Sequence, residues 1–96
     1  MFHLVVIVTV GDPTDVSIVS DAFATMRSMC LTEPGCVSWE AYHSETDPRR
    51  FVLVEWWESE TAWQAHGELA AIQDVYLPVV FPRISREVHA SGRLGA

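Results

Sequence analysis

The sequence predicts an α+β fold in which four strands form one antiparallel sheet and two helices cover one face of it. Hydrophobic residues alternate or run together in four segments, as in strands, and recur at spacings of three and four in two others, as in amphipathic helices. The predicted elements are a strand at 2–10, a helix from 13 to about 32, strands at 36–44 and 50–57, a helix at about 60–76 and a strand at about 83–90. This order, βαββαβ, is that of the ferredoxin-like folds.

Capping and turn residues set the boundaries of these elements. Asp12 is a favourable N-cap and Pro13 suits the first helical position, so the first helix is expected to begin there. Ser59 is the expected N-cap of the second helix, for which we predict a kink near Gly67. The other breaks are expected at Pro34-Gly35, at a hairpin turn over 45–48, and at a loop bracketed by Pro78 and Pro82.

The first and third strands are apolar on both faces, although two helices can cover only one face of the sheet. The uncovered face is expected to carry Val5, Ile7, Val52, Val54 and Trp56. An exposed apolar surface of this size needs a second layer, and a symmetric copy of the chain is the simplest source. We therefore predict a homodimer formed by sheet-to-sheet packing, with a cavity in each subunit between sheet and helices.

Length and composition indicate a single domain spanning residues 1–96, with a loose tail at 91–96. No apolar run approaches the roughly 18 residues that a membrane helix needs. The N-terminal segment alternates like a strand and lacks the basic start and cleavage site of a signal peptide. We therefore expect a cytoplasmic protein without membrane association.

The charge pattern excludes nucleic acid as a partner. The net charge is −7, the chain contains no lysine, and its six arginines are scattered, so no dense basic face can form. Without lysine, Schiff-base chemistry and a P-loop are also excluded. A small molecule is the expected ligand.

The cysteines and most histidines give no metal-binding pattern. Cys30 and Cys36 flank a turn with a spacing that matches no zinc motif, so no metal site is predicted. We interpret them as two small buried hydrophobes, with a redox pair across the turn as the alternative. His3, His43 and His89 are interpreted as surface or interface residues.

Two residues of the segment 51–66 are candidates for acid-base catalysis. Glu55 is in phase with the apolar residues of the third strand, so burial should raise its pKa and suit it to act as a general base or acid. His66 follows Trp63 by one helical turn toward the same sheet, where a neutral imidazole could relay a proton. The alternatives are a structural carboxylate and a histidine satisfied within the core.

Aromatic residues near these two candidates could form a binding pocket. Trp57 and Trp63 could stack on a planar substrate, and Tyr76 could present its hydroxyl to a ligand; core packing is the alternative for all three. Arg83 and Arg86 are interpreted as surface residues, with ion pairing across the dimer or binding of a substrate anion as alternatives.

Three motifs occur in order along the chain: Glu33-Pro-Gly-Cys36, Thr46-Asp-Pro-Arg-Arg-Phe51, and Glu55-Trp-Trp-Glu-Ser-Glu-Thr-Ala62 followed by His66. Together they resemble the antibiotic biosynthesis monooxygenase (ABM) family of dimeric α/β-barrel proteins, over roughly residues 2–90. The resemblance implies a cytoplasmic homodimer and oxygen chemistry on a small aromatic, quinol or polyketide-like substrate. It also implies that no cofactor is required, because in this branch the substrate's own anion reduces oxygen.

Individual positions refine what the resemblance implies. In haem-degrading relatives the iron-binding histidine, a strand-one asparagine and a helix-two tryptophan match Val75, Val6 and His66, so the aliphatic ligand position argues against haem degradation. The quinone-forming branch often has an asparagine where this chain has Leu53, whereas its aromatic wall is kept at Trp57. Trp63 matches the aromatic residue of helix two in that branch.

These observations lead to one main hypothesis and two alternatives. The main hypothesis is a cofactor-independent monooxygenase in which Glu55 and His66 handle the proton. Its substrate would contact Val6, Leu53, Trp57, Trp63 and Tyr76. The alternatives are a cofactor-free isomerase or cyclase that uses the same two groups, and a non-catalytic dimer that binds a small ligand.

Overall fold

The computed structural model describes residues 1–95 and confirms the predicted α+β, ferredoxin-like fold. The elements are β1 (Phe2–Val10), α1 (Val16–Cys30), β2 (Cys36–His43), β3 (Arg50–Trp57), α2 (Glu60–His66), α3 (Ala71–Val80) and β4 (Ile84–Ser91). The four strands form one antiparallel sheet in the order β2-β3-β1-β4. The two central strands are therefore β3 and β1, which are the strands with apolar residues on both faces.

The inner and outer faces of the sheet follow the predicted alternation. Leu4 and Val6 of β1 are buried beneath the helices, whereas the intervening Val5 is half-buried on the outer face. On β3, Leu53 is buried and Val54 is exposed. The outer face thus presents apolar side chains that no element of residues 1–95 covers.

The first helix begins almost as predicted. The Asp12 carboxylate accepts a hydrogen bond from the backbone N–H of Thr14 at 2.9 Å. This bond caps a short 3₁₀ turn, Pro13–Asp15, which leads into α1. The buried side of α1 includes Phe23, whose ring packs edge-on against Phe51 of β3 at a centroid distance of 5.5 Å.

The second helical region departs from the prediction. Instead of one kinked helix, α2 ends at His66 and a separate helix, α3, begins at Ala71. The predicted kink at Gly67 is a complete break, and the predicted loop at Pro78 is wrong, because Pro78 lies inside α3. An α-helix rarely tolerates an internal proline, since the ring clashes with the carbonyl four residues earlier. Here α3 is instead a π-helix, whose turn is wider.

The ends of the described chain carry little further structure. β4 reaches Ser91, and from residue 92 to 95 the chain forms neither helix nor strand, with Leu94 almost fully exposed. Residue 96, which belongs to the predicted loose tail, lies outside the described residues. Among the helices described, none is long and apolar enough to cross a membrane.

Candidate functional site

A cavity of about 280 Å³ lies between the inner face of the sheet and the helices α1, α2 and α3. Its volume is close to the lower end of the range typical of small-molecule sites. Its walls are mostly apolar, with a few polar groups. The residues that line it are Leu4, Val6, Met26, Trp39, Leu53, Glu55, Trp63, Gln64, His66, Gly67, Ile72, Tyr76, Arg86 and Val88. Six of the seven residues proposed from the sequence are among them; Trp57 is the exception.

Glu55 is the carboxylate of this cavity, and the strand geometry places it there. It lies on the central strand β3, paired with Leu4 of β1 on one side and Trp39 of β2 on the other. Because side chains alternate along a strand, Glu55 points to the same face as Leu53 and away from solvent. Only 5% of Glu55 is exposed.

Burial raises the pKa of Glu55 to about 7. The indole N–H of Trp57 opposes this effect by donating a hydrogen bond to Glu55 Oε1 at 3.0 Å. The indole of Trp39, on the neighbouring strand, lowers this pKa less than Trp57 does. The positive charge of Arg86 also lowers this pKa slightly. A carboxyl group that titrates near neutral pH can both accept and donate a proton.

Trp57 has a different position from the one expected. Its side chain is fully buried and does not line the cavity, so it lies behind Glu55 rather than forming a wall for a ligand. Its N–H holds the carboxylate, and its ring packs against the His66 imidazole at a centroid distance of 4.7 Å. Trp57 therefore connects the two proposed acid-base residues without meeting a ligand itself.

His66 is buried at the end of α2, and its Nδ1 forms a short hydrogen bond with the carboxylate of Glu33. Within residues 1–95 no hydrogen bond joins His66 to Glu55; both contact Trp57 instead. Because Nδ1 is taken by Glu33, Nε2 is the ring nitrogen left for the cavity. A carboxylate that orients an imidazole in this way fixes its tautomer.

Glu33 was not recognised as a site residue from the sequence. It lies in the turn after α1, 33 positions before His66, and no local pattern links the two. The sequence of the turn does contain one signal, Pro34-Gly35. Gly35 adopts a positive φ of 80°, a conformation that favours glycine. A Cβ atom at Gly35 would lie 2.6 Å from the Cβ of Ala62, so only glycine lets α2 approach the turn this closely. This approach brings His66 to Glu33.

The cavity also contains hydrogen-bond donors from three other elements: Trp39 on β2, Tyr76 on α3 and Arg86 on β4. The Tyr76 hydroxyl and the Trp39 N–H are buried and have no hydrogen-bond partner in residues 1–95. The Arg86 guanidinium lies 5.4 Å from the centre of the Tyr76 ring and 5.9 Å from that of Phe81. Burial raises the pKa of Tyr76, and Arg86 partly opposes this. Buried polar groups are normally satisfied, so these donors are available to a polar group that enters the cavity.

Three further sequence interpretations concern Arg83, the two cysteines and Val75. Arg83 is structural, because it donates a hydrogen bond to the carbonyl of Val79 at 2.7 Å and lies 3.5 Å from a carboxylate oxygen of Asp15. Cys30 and Cys36 are free thiols, and burial raises the pKa of Cys36 to about 11. Val75, at the position of the haem ligand in relatives, packs against the core.

Several solved structures share this fold. A Nitrosomonas europaea protein, provisionally named an antibiotic biosynthesis monooxygenase, has a TM-score of 0.89 and 24% identity, with 99% of this chain and 100% of that chain covered. A Bacteroides thetaiotaomicron protein described as a possible oxidoreductase has a TM-score of 0.84 and 21% identity, with 94% of each chain covered. Rv0793 of Mycobacterium tuberculosis has a TM-score of 0.79 and 19% identity over the full length of both chains. At these identities the likeness concerns the fold alone.

A comparison with curated proteins gave no match. Family membership rests instead on the sequence pattern that defines the antibiotic biosynthesis monooxygenases, which matches residues 1–76, from β1 into α3. The matched part includes Glu33, Glu55 and His66, and the described structure has the fold of proteins so named. The chain therefore belongs to the antibiotic biosynthesis monooxygenase family.

Proposed function

We propose that this protein is a cofactor-independent monooxygenase that oxidises a small electron-rich aromatic, quinol or polyketide-like molecule with O₂. The observation that carries the proposal is Glu55, a buried carboxyl group that faces an apolar cavity and has a pKa of about 7. Such a group can remove a proton from a phenol or enol at neutral pH. Family membership supports the reaction class.

The proposed reaction needs no external reductant. Glu55 takes a proton from an activated CH₂ or the tautomeric enol, and the resulting carbanion or enolate reduces O₂ and bonds to one of its oxygen atoms. The peroxide then loses water, so that the CH₂ group becomes C=O and the second oxygen atom leaves in H₂O. The donors Tyr76 and Arg86 lie where they could stabilise the negative oxygen of the intermediate. His66, oriented by Glu33, would return a proton to the leaving oxygen.

The cavity explains why the protein would accelerate such a reaction. Its apolar walls, including Leu53 and Ile72, would shield one side of the reactive anion from water. The half-buried Trp63 ring, stacked on Phe2 at 5.2 Å, offers a flat surface for an aromatic substrate.

The test is oxygen consumption by the purified, metal-stripped protein with a panel of anthrones and hydroquinones. We expect uptake that falls at least tenfold in Glu55→Gln and in His66→Ala. Glu45→Gln is the matched control, because Glu45 is exposed in the hairpin turn. If Glu55→Gln consumes oxygen at the same rate as the wild type, the assignment of Glu55 as the base is refuted.

A cofactor-free isomerase or cyclase is the second candidate function, and one position favours it. Leu53 lines the cavity where the quinone-forming relatives often have an asparagine, so this chain lacks that polar anchor on β3. The same acid-base groups could then move protons without oxygen. This function would be supported if the protein turns over an enolisable substrate under strict anaerobic conditions and Glu55→Gln abolishes that turnover.

We also propose that the protein is a homodimer that packs through the outer face of its sheet. Val54 is 42% exposed at the middle of this face, and its neighbours Val5 and Val52 are half-buried there. Light scattering should give twice the chain mass of 10.8 kDa. Val54→Glu should produce a monomer, because a charge at a dry interface is strongly unfavourable. A monomeric wild type would refute the dimer.

A further inference from the structure

Three side chains able to bind a metal converge beside the cavity. Cys30 is the last residue of α1, Glu33 lies in the following turn, and His66 is the last residue of α2. One ligand atom from each, the Cys30 sulfur, a Glu33 oxygen and a His66 nitrogen, lies within 4.8 Å of the other two. Cys30 is fully buried, and the side chains of Glu33 and His66 are only 7% and 5% exposed.

We propose that Cys30, Glu33 and His66 form a zinc-binding site. Thiolate, imidazole and carboxylate are the three ligand types that Zn²⁺ uses in proteins. Zinc–ligand bonds of about 2.0–2.3 Å place the ligand atoms of a tetrahedral site about 3.5 Å apart. The three ligand atoms lie within 4.8 Å of one another, so the cluster has the size that such a site requires. Three protein ligands leave one position for water or a small ligand.

Charge balance favours a divalent ion at this point. A cysteine thiolate and a glutamate carboxylate carry two negative charges, and the neutral imidazole adds none. Zn²⁺ neutralises the pair, which matters because uncompensated charge in a buried site is costly. Binding would release the thiol proton, and the neutral imidazole would bind the ion through one ring nitrogen and keep its proton on the other. Mg²⁺ and Ca²⁺ are excluded because both prefer sites made of oxygen ligands only.

The backbone holds two of the ligands in a fixed relation. The N–H of Glu33 donates to the carbonyl of Cys30 at 3.0 Å, and the N–H of Cys36 donates to the carbonyl of Glu33 at 3.2 Å. The third ligand depends on the close contact at Gly35, which brings α2 to this turn. A partly preorganised site binds a metal with less loss of conformational entropy.

The site is invisible in the sequence because its spacing is irregular. Two ligands are three residues apart and the third follows after 33 residues, unlike the paired motifs of zinc fingers. Ligands that are brought together only by tertiary packing leave no such spacing, which is why the sequence predicts no metal site here. One consequence rests on the proposed function: zinc would occupy His66, remove it from proton transfer, and so inhibit the oxidation.

Metal binding itself can be tested without any activity. The full chain, stripped with a chelator and reduced, is titrated with Co²⁺ and then with Zn²⁺. We expect one Co²⁺ per chain, a thiolate-to-cobalt charge-transfer band, and its loss when Zn²⁺ displaces the cobalt. Cys30→Ser should abolish the band, and Glu33→Gln should weaken binding at least tenfold.

Cys36→Ser is the matched control, because Cys36 is a second thiol in the same segment but lies outside the cluster. It should keep the wild-type band. Circular dichroism checks that each variant is folded; if Cys30→Ser does not fold, Glu33→Gln and the rise in the Tm of the wild type with Zn²⁺ decide the matter. The proposed site would be refuted if the wild type shows no charge-transfer band. It would also be refuted if the band is lost in Cys36→Ser and kept in Cys30→Ser.

Discussion

Glu55→Gln should change how the stability of the protein depends on pH. In the unfolded chain this carboxyl group titrates at its ordinary pKa of 4.5, whereas burial raises the pKa to about 7 in the folded protein. Between these values the folded state holds a proton that the unfolded state has lost. The free energy of unfolding of the wild type therefore falls as pH rises from 4.5 to 7 and then levels off. Glutamine carries no charge at any pH, so the stability of Glu55→Gln lacks this pH-dependent contribution.

The magnitude follows from the two pKa values. Each pKa unit corresponds to about 1.36 kcal/mol, so ionised Glu55 reduces the free energy of unfolding by about 3 kcal/mol above pH 7. At pH 5 this reduction in the free energy of unfolding is only about 1 kcal/mol. The difference in stability between Glu55→Gln and the wild type should therefore shift by about 2 kcal/mol between pH 5 and pH 8, in favour of the variant.

Urea denaturation at pH 5, 6, 7 and 8, at one fixed protein concentration, measures this shift. Glu45→Gln, an exposed substitution of the same chemistry, should follow the wild type across the series. Glutamine can still accept the hydrogen bond of Trp57 through its side-chain oxygen, so that contact does not confound the comparison. A difference between variant and wild type that stays constant with pH would show that Glu55 does not titrate near neutrality.

Three further substitutions test the surroundings of the site. Gly35→Ala should lower the free energy of unfolding by about 2 kcal/mol in urea denaturation, because the position has a positive φ and no room for a Cβ, whereas Gly92→Ala in open space should stay within about 0.5 kcal/mol. Trp57→Phe removes a donor from Glu55, so the acid limb of the kcat/KM pH profile should move to higher pH. Glu33→Gln should lower stability by about 1–3 kcal/mol in the same urea assay, because a buried imidazole loses its charged partner.

The placement of Glu55 could be predicted because strand periodicity is local. An apolar run with a single carboxylate in phase with Leu53 needs only the alternation of a strand to point that group inward. The cavity side of β3 was therefore predicted correctly before any tertiary contact was known.

Other parts of the site depend on contacts that the sequence does not encode locally. Glu33 meets His66 only because Gly35 permits the turn and α2 to touch. Trp57 shares the inner face of β3, but its position at the strand end places it behind the carboxylate rather than in the cavity. The π-helical geometry of α3 was hidden as well, because Pro78 ordinarily indicates a helix end.

The position of Arg86 is relevant to a polar contact that this chain lacks on β3. Quinone-forming relatives often have an asparagine where this chain has Leu53. A substrate anion needs a polar partner, and β3 offers only a leucine at the usual place. The cavity walls formed by α3 and β4 provide Tyr76, whose buried hydroxyl has no partner in residues 1–95, and the Arg86 guanidinium 5.4 Å from the centre of its ring. Under the proposed function, Tyr76 and Arg86 would supply the polar contact that Leu53 cannot, and Glu55 on β3 would be the base. Substrate selectivity should then follow substitutions of Tyr76 and Arg86, whereas proton removal should follow Glu55 alone.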